Sequence, residues 1–133
     1  MTPRVNIIII THEKVGEALL HAVKAALGEH LPLSSTVITV SSDANPEKIT
    51  LALKKLIEET ESLEGFLVLT DLFGSTPANI AANLQKMQQK DKIRVVAGLN
   101  LPMLIRVMNY PDLSLPLLAE KAISGGKDGV INY

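Results

Sequence analysis

His12 and Asp71 are the two residues whose types and positions could carry chemistry together. Each follows a short apolar run, residues 7–10 in one case and residues 65–70 in the other. A neutral imidazole is a nucleophile near neutral pH when one ring nitrogen is free. A carboxylate on the other nitrogen fixes the tautomer and stabilises the positive ring formed on attack. Asp71 also opens the stretch Asp71-Leu72-Phe73-Gly74-Ser75-Thr76-Pro77, which leads into a predicted helix. Backbone N–H groups at a helix start, with the helix dipole behind them, suit an anion. That makes Gly74, Ser75 and Thr76 candidate phosphate-binding residues, the two hydroxyls adding donors. A nucleophile beside an anion cradle is what phosphoryl transfer requires. Plainer roles stay open for the same residues: Asp71 and Gly74 in a turn, and Thr76 as a helix cap.

These two segments must be brought side by side, and the hydrophobic pattern says how. The β-branched run at 7–10 reads as a central strand covered on both faces. Val15, Ala18, Leu19, Ala22, Val23, Ala26 and Leu27 then recur at helical spacing, with Gly28 as a stop. A strand at 36–40 precedes Asn45-Pro46, an N-cap with a first-turn proline, and a helix facing inward through Ile49, Ala52, Leu53, Leu56 and Ile57. A strand at 65–70 leads to a helix opened by Thr76-Pro77, with Ile80, Leu84 and Met87 on its apolar face. A fourth strand spans 93–97. Leu101, Leu104, Ile105 and Met108 form a short helix broken by Pro111. Ser114 caps a last helix through Ile123 that Gly125-Gly126 ends, and residues 130–133 read as a short final strand. This alternation predicts a doubly wound three-layer α/β sandwich with a parallel sheet of order 2-1-3-4. In that order the loops after strands 1 and 3 diverge and leave a crevice where ligands bind. His12 and Asp71 lie at those two strand ends.

Composition narrows the class. The 133 residues are one domain's worth of chain, and 47% hydrophobic content supports a core without metals or disulfides. There is no cysteine, which removes thiol chemistry and zinc–thiolate sites. The net charge is -1, with two Phe, two Tyr, no Trp and no basic run, so nucleic acid is not an expected partner. Met1 to Arg4 and the short apolar run after them form neither a leader nor a membrane span, and a cytoplasmic location is expected. His21 falls beside Glu17 and Lys24 on the polar side of its helix, and His30 follows a helix stop; neither is near the crevice.

Related folds are tested by the same positions. A response-regulator receiver needs an acidic pair after strand 1 to hold Mg²⁺, and Thr11-His12 occupies that place. The hydroxyl-rich phosphate loop and aromatics of a flavodoxin are absent, as are G-x-G-x-x-G and Walker A patterns.

Three segments, Ile9-Ile10-Thr11-His12, Asp71-Leu72-Phe73-Gly74-Ser75-Thr76-Pro77-Ala78-Asn79 and Ala97-Gly98-Leu99-Asn100-Leu101-Pro102-Met103-Leu104, together give a resemblance covering residues 5–133. The sequence resembles the IIA domains of the mannose family of the bacterial phosphoenolpyruvate-dependent sugar phosphotransferase system. The resemblance implies a single IIA domain over 1–133. It implies that His12 accepts a phosphoryl group from phospho-HPr and passes it to a IIB component, with Asp71 as the active-site aspartate and Thr76 as the phosphate-contacting hydroxyl. It implies no metal or organic cofactor. It also implies a homodimer in which the C-terminal strand at 130–133 is exchanged. Leu72, Phe73 and Met103, placed in loops at the crevice rim, are the expected docking patch for HPr or IIB. Glu13 stands where many members have glycine, and Ser75 replaces the second glycine of a Gly-Gly pair. The chain ends at Tyr133, so IIB is expected on a separate chain, with a role in sugar uptake or regulation. The alternatives are the phosphotransferase subunit of a dihydroxyacetone kinase and a non-catalytic anion-binding module.

Overall fold

The structure is a computed structural model, which describes residues 5–87 and 92–133. Met1 to Arg4 lie outside the described residues. Nine elements follow in the order β1 (Val5–His12), α1 (Val15–Leu27), β2 (Ser35–Val40), α2 (Pro46–Glu59), β3 (Gly65–Thr70), α3 (Thr76–Met87), β4 (Ile93–Ala97), α4 (Leu101–Met108) and α5 (Leu115–Asp128). The four strands form one parallel sheet of order β2-β1-β3-β4. The predicted architecture and strand order are therefore observed.

Alternation along β1 builds two cores. Val5, Ile7 and Ile9 point into the layer of α1, α4 and α5, where they meet Val23, Leu104, Val107 and Leu118. Ile8 and Ile10 point the other way, onto Leu53 of α2 and Ile80 and Leu84 of α3. All five β1 side chains are at most 1% exposed. Each such burial is worth about 1.5–3 kcal/mol. The register of β1 is thus fixed from both faces, and with it the position of His12 at its end.

Helix ends explain how the chain leaves the sheet. Asn45 caps α2 as predicted, accepting from the N–H groups of Glu47 (3.0 Å) and Lys48 (3.3 Å). Asn100 caps α4 by accepting from Met103 N–H at 2.9 Å, and its amide donates to the Gly126 carbonyl at 3.1 Å. That second bond fastens α4 to α5. Ser114 occupies the N-cap of α5, but its side chain makes no capping hydrogen bond.

Two sequence-based expectations are corrected, and the C-terminal segment is extended from the fold. The inward stripe of α1 is rotated: Gly16 and Val23 are buried, Leu19 and Leu20 pack on the core, and Val15 and Leu27 are largely exposed. Gly125-Gly126 does not end the last helix, which runs on to Asp128. A Cβ on Gly125 would sit 2.7 Å from Arg106 Cβ, so this glycine permits the close crossing of α4 rather than stopping a helix. Residues 130–133 form no strand, and Val130, Ile131 and Tyr133 are exposed.

Candidate functional site

β1 extends two residues further than its apolar run, because Thr11 and His12 pair with Thr39 and Val40 of β2. Thr11 is fully buried, and its hydroxyl accepts from the Gly16 N–H at 2.7 Å, which seats the start of α1. His12 is therefore held in the sheet rather than in a loop. The next peptide is held as well, since Glu13 N–H donates to the Val40 carbonyl at 3.1 Å.

β3 pairs with β1 through Ile10 and Thr70, so the residue after Thr70 meets the end of β1. Asp71 takes the His12 backbone N–H on Oδ2 at 3.1 Å. Its two oxygens also lie 3.1 Å and 3.0 Å from His12 Nδ1. A carboxylate accepts only, so Nδ1 carries the proton and the lone pair is on Nε2. The His12 side chain is 43% exposed and that of Asp71 14%. The imidazole can reach a partner, while the carboxylate behind it is shielded. The arrangement can deliver an in-line nucleophile and stabilise the cationic ring that attack produces.

The loop after Asp71 places its three candidates differently from one another. Ser75, not Thr76, is the N-cap of α3: its carbonyl accepts the Asn79 N–H at 2.9 Å and its hydroxyl lies 3.5 Å from the Ala78 N–H. The Ser75 hydroxyl donates to the Leu72 carbonyl at 2.5 Å, and its N–H donates to the same carbonyl at 3.3 Å. Both Ser75 donors are thus committed within the turn. Gly74 takes a φ of +81°, which turns the chain toward α3 and is costly for a residue with a Cβ. Gly74 and Thr76 are exposed, and among the described residues no hydrogen bond uses the N–H of either or the Thr76 hydroxyl. Those three donors are open to an anion.

The expected docking residues separate. Leu72 and Phe73 are 60% and 87% exposed at the rim. Met103 is in α4, not a loop, and is 3% exposed within the core under α5. The amphipathic face of α4 turns it inward, away from the exposed rim. His21 and His30 are exposed and take no part in the site.

Two features were missed in the sequence. Thr11 looked like a loop residue and is a buried strand residue whose hydroxyl accepts the Gly16 N–H in the first turn of α1. Glu13 has a φ of +44°, in the left-handed region, and its carboxylate accepts from the Ser42 N–H at 3.3 Å. The sharp passage from strand to helix within two residues was the signal available for that backbone conformation. Among the described residues, no group of three or more His, Asp or Glu side chains is placed to hold a metal ion. Among the described residues, no helix is long and apolar enough to cross a membrane.

Comparison with known proteins places this geometry in a family. A family model described as the fructose IIA component of the phosphotransferase system, EIIA-man, matches residues 6–120. The mannose-specific EIIAB component of Escherichia coli K12 is 30% identical over 130 residues, 95% of this chain. The chain spans 38% of the length of that curated relative. Among solved structures, the mannose/sorbose specific IIA subunit from Enterococcus faecalis superposes with a TM-score of 0.85 at 27% identity, covering 100% of this chain and 96% of that one. The EIIA component from Streptococcus agalactiae gives a TM-score of 0.83 at 25% identity, covering 96% of each chain. Members of this family are phosphotransferase components of sugar phosphotransferase systems. The chain belongs to the mannose-type enzyme IIA family of the phosphotransferase system.

Proposed function

We propose that this chain is a cytoplasmic phosphohistidine carrier, taking a phosphoryl group from phospho-HPr on His12 Nε2 and handing it to a IIB component. The observation that carries this reading is the double hold of Asp71 on His12, with Nδ1 occupied and Nε2 open. In the forward step the Nε2 lone pair forms the new N–P bond as the donor's N–P bond breaks. Nδ1 keeps its proton, and the Asp71 carboxylate faces the positive ring. Handing on reverses the same motions, so no side chain need gain or lose a proton. The open N–H groups of Gly74 and Thr76 and the Thr76 hydroxyl bind the phosphoryl oxygens, with the positive end of α3 behind them. Ser75 shapes that cradle through its turn rather than by direct donation.

Leu72 and Phe73 form the apolar rim that HPr and IIB bury in turn. A homodimer with exchanged C-terminal segments is part of the same proposal. β4 pairs only with β3, which leaves its outer edge free among the described residues. A groove of about 320 Å³ beside that edge is lined by Val96, Ala97, Met103 and Ile123 together with this chain's own Val130, which the exchange would replace by its counterpart. The exposed Val130, Ile131 and Tyr133 of a second copy supply the apolar strand that such an edge accepts.

The deciding experiment is incubation with phosphoenolpyruvate, enzyme I and HPr, followed by intact mass before and after addition of a IIB component. One acid-labile phosphoryl group that leaves on IIB addition is expected. An unmodified chain that binds phosphate without covalent attachment would make it an anion-binding module instead.

A further inference from the structure

Glu13 combines two observations the transfer chemistry does not use. It is the only non-glycine residue with positive φ among the described residues, at +44°. Such a conformation is unfavourable for an L-residue with a Cβ. Its side chain also reaches the β2–α2 loop, on the side of β1 away from β3, where Oε1 accepts from the Ser42 N–H at 3.3 Å.

That loop is itself a built turn. Ser41 donates to Asp43 Oδ1 at 2.8 Å, Ala44 N–H donates to the Ser41 carbonyl at 3.1 Å, and Asn45 then caps α2. The chain around His12 is thus fastened on both flanks. On the β3 side the fastener is Asp71, holding the His12 N–H. On the β2 side it is Glu13, through its own N–H on the Val40 carbonyl and its carboxylate on Ser42.

We propose that Glu13 is a positioning residue for phosphoryl transfer, its side-chain bond to Ser42 holding the strained turn that aims His12 Nε2 into the crevice. The proposal rests on His12 being the phosphoryl acceptor. Loss of the bond leaves the left-handed turn without its side-chain support, and the His12 ring samples orientations off the line of attack. A displacement of this kind lowers the rate of the chemical step and leaves donor binding unchanged.

The test compares Glu13→Gln with Glu13→Ala. Both lack the charge, and only Gln keeps an acceptor oxygen for Ser42, so the difference between them isolates the bond. Single-turnover transfer from phospho-HPr at saturating donor is expected to be about 3- to 10-fold slower in Glu13→Ala than in Glu13→Gln, the worth of one hydrogen bond. The half-saturating donor concentration is expected to be the same in both. In the unphosphorylated proteins, the Ser42 amide proton resonance is expected upfield in Glu13→Ala and in the hydrogen-bonded range in the wild type and Glu13→Gln. Absence of phosphate on the wild type would overturn the carrier reading and this role with it. Phosphate on the wild type with equal rates in the two variants, or a Ser42 resonance indifferent to all substitutions, would overturn the role of Glu13 alone.

Discussion

Asp71 holds His12 at two places with one carboxylate: Oδ2 lies 3.1 Å from the backbone nitrogen and 3.0 Å from Nδ1. Ring and main chain are therefore oriented by the same group. Asp71→Ala is expected to slow phosphoryl transfer on the order of a hundredfold or more, by loss of tautomer control and of imidazolium stabilisation. The variant remains folded, because the unpaired N–H of His12 costs only about 1–3 kcal/mol. Rapid-quench kinetics with circular dichroism checks both halves. A folded variant with the wild-type rate would remove Asp71 from the mechanism.

The placement of this pair was legible in the sequence for a physical reason. Two short apolar runs each followed by a functional residue, with helical periods between them, leave few ways to arrange a parallel sheet. The alternation of β1 between two cores then fixes which end His12 occupies. What escaped was settled by packing. Gly125-Gly126 reads as a stop, and only the crossing of α5 against Arg106 of α4 shows it as a contact inside a helix. Met103 follows a glycine-containing loop in sequence, and only the direction of α4 shows that it faces inward. Ser75 was expected to donate to phosphate, and its two donors instead meet the Leu72 carbonyl, which composition cannot reveal.

The close crossing of α4 and α5 gives a stability prediction. Alanine in an ordinary helix interior is favoured over glycine by about 1 kcal/mol. Gly125→Ala is expected to run the other way, because its methyl would lie 2.7 Å from Arg106 Cβ. A destabilisation of about 1–3 kcal/mol follows from such overpacking, read as a lower urea midpoint at unchanged m-value.

The charge of Glu13 is expected to act separately from its bond to Ser42. A phosphoryl group on His12 brings close to two negative charges near pH 7. A carboxylate on the neighbouring residue disfavours it by like-charge repulsion. Glu13→Gly would also relieve the left-handed backbone, so Glu13→Gln is the cleaner probe of charge. The phosphate equilibrium with HPr is expected to shift toward the Gln variant, more at low ionic strength than at high. An equilibrium constant unchanged at low salt would show that the Glu13 charge does not reach the site.

The exposed ring of Phe73 should matter to partners and not to the fold. It is 87% exposed, so Phe73→Ala removes little buried area and leaves the melting temperature unchanged. The concentration of phospho-HPr needed for half-maximal transfer is expected to rise by about tenfold, the loss of one aromatic anchor. Titration of initial rates against phospho-HPr checks this, and an unaltered half-saturation would take Phe73 out of the docking surface.

His12 is the one histidine of three placed beside Asp71, with His21 and His30 exposed elsewhere. The most direct measurement is therefore intact mass after incubation with phosphoenolpyruvate, enzyme I and HPr, made on the wild type and on His12→Ala, His21→Ala and His30→Ala. One acid-labile phosphoryl group is expected on the wild type and on the His21 and His30 variants, and none on His12→Ala. Full phosphorylation of His12→Ala would contradict His12 as the acceptor.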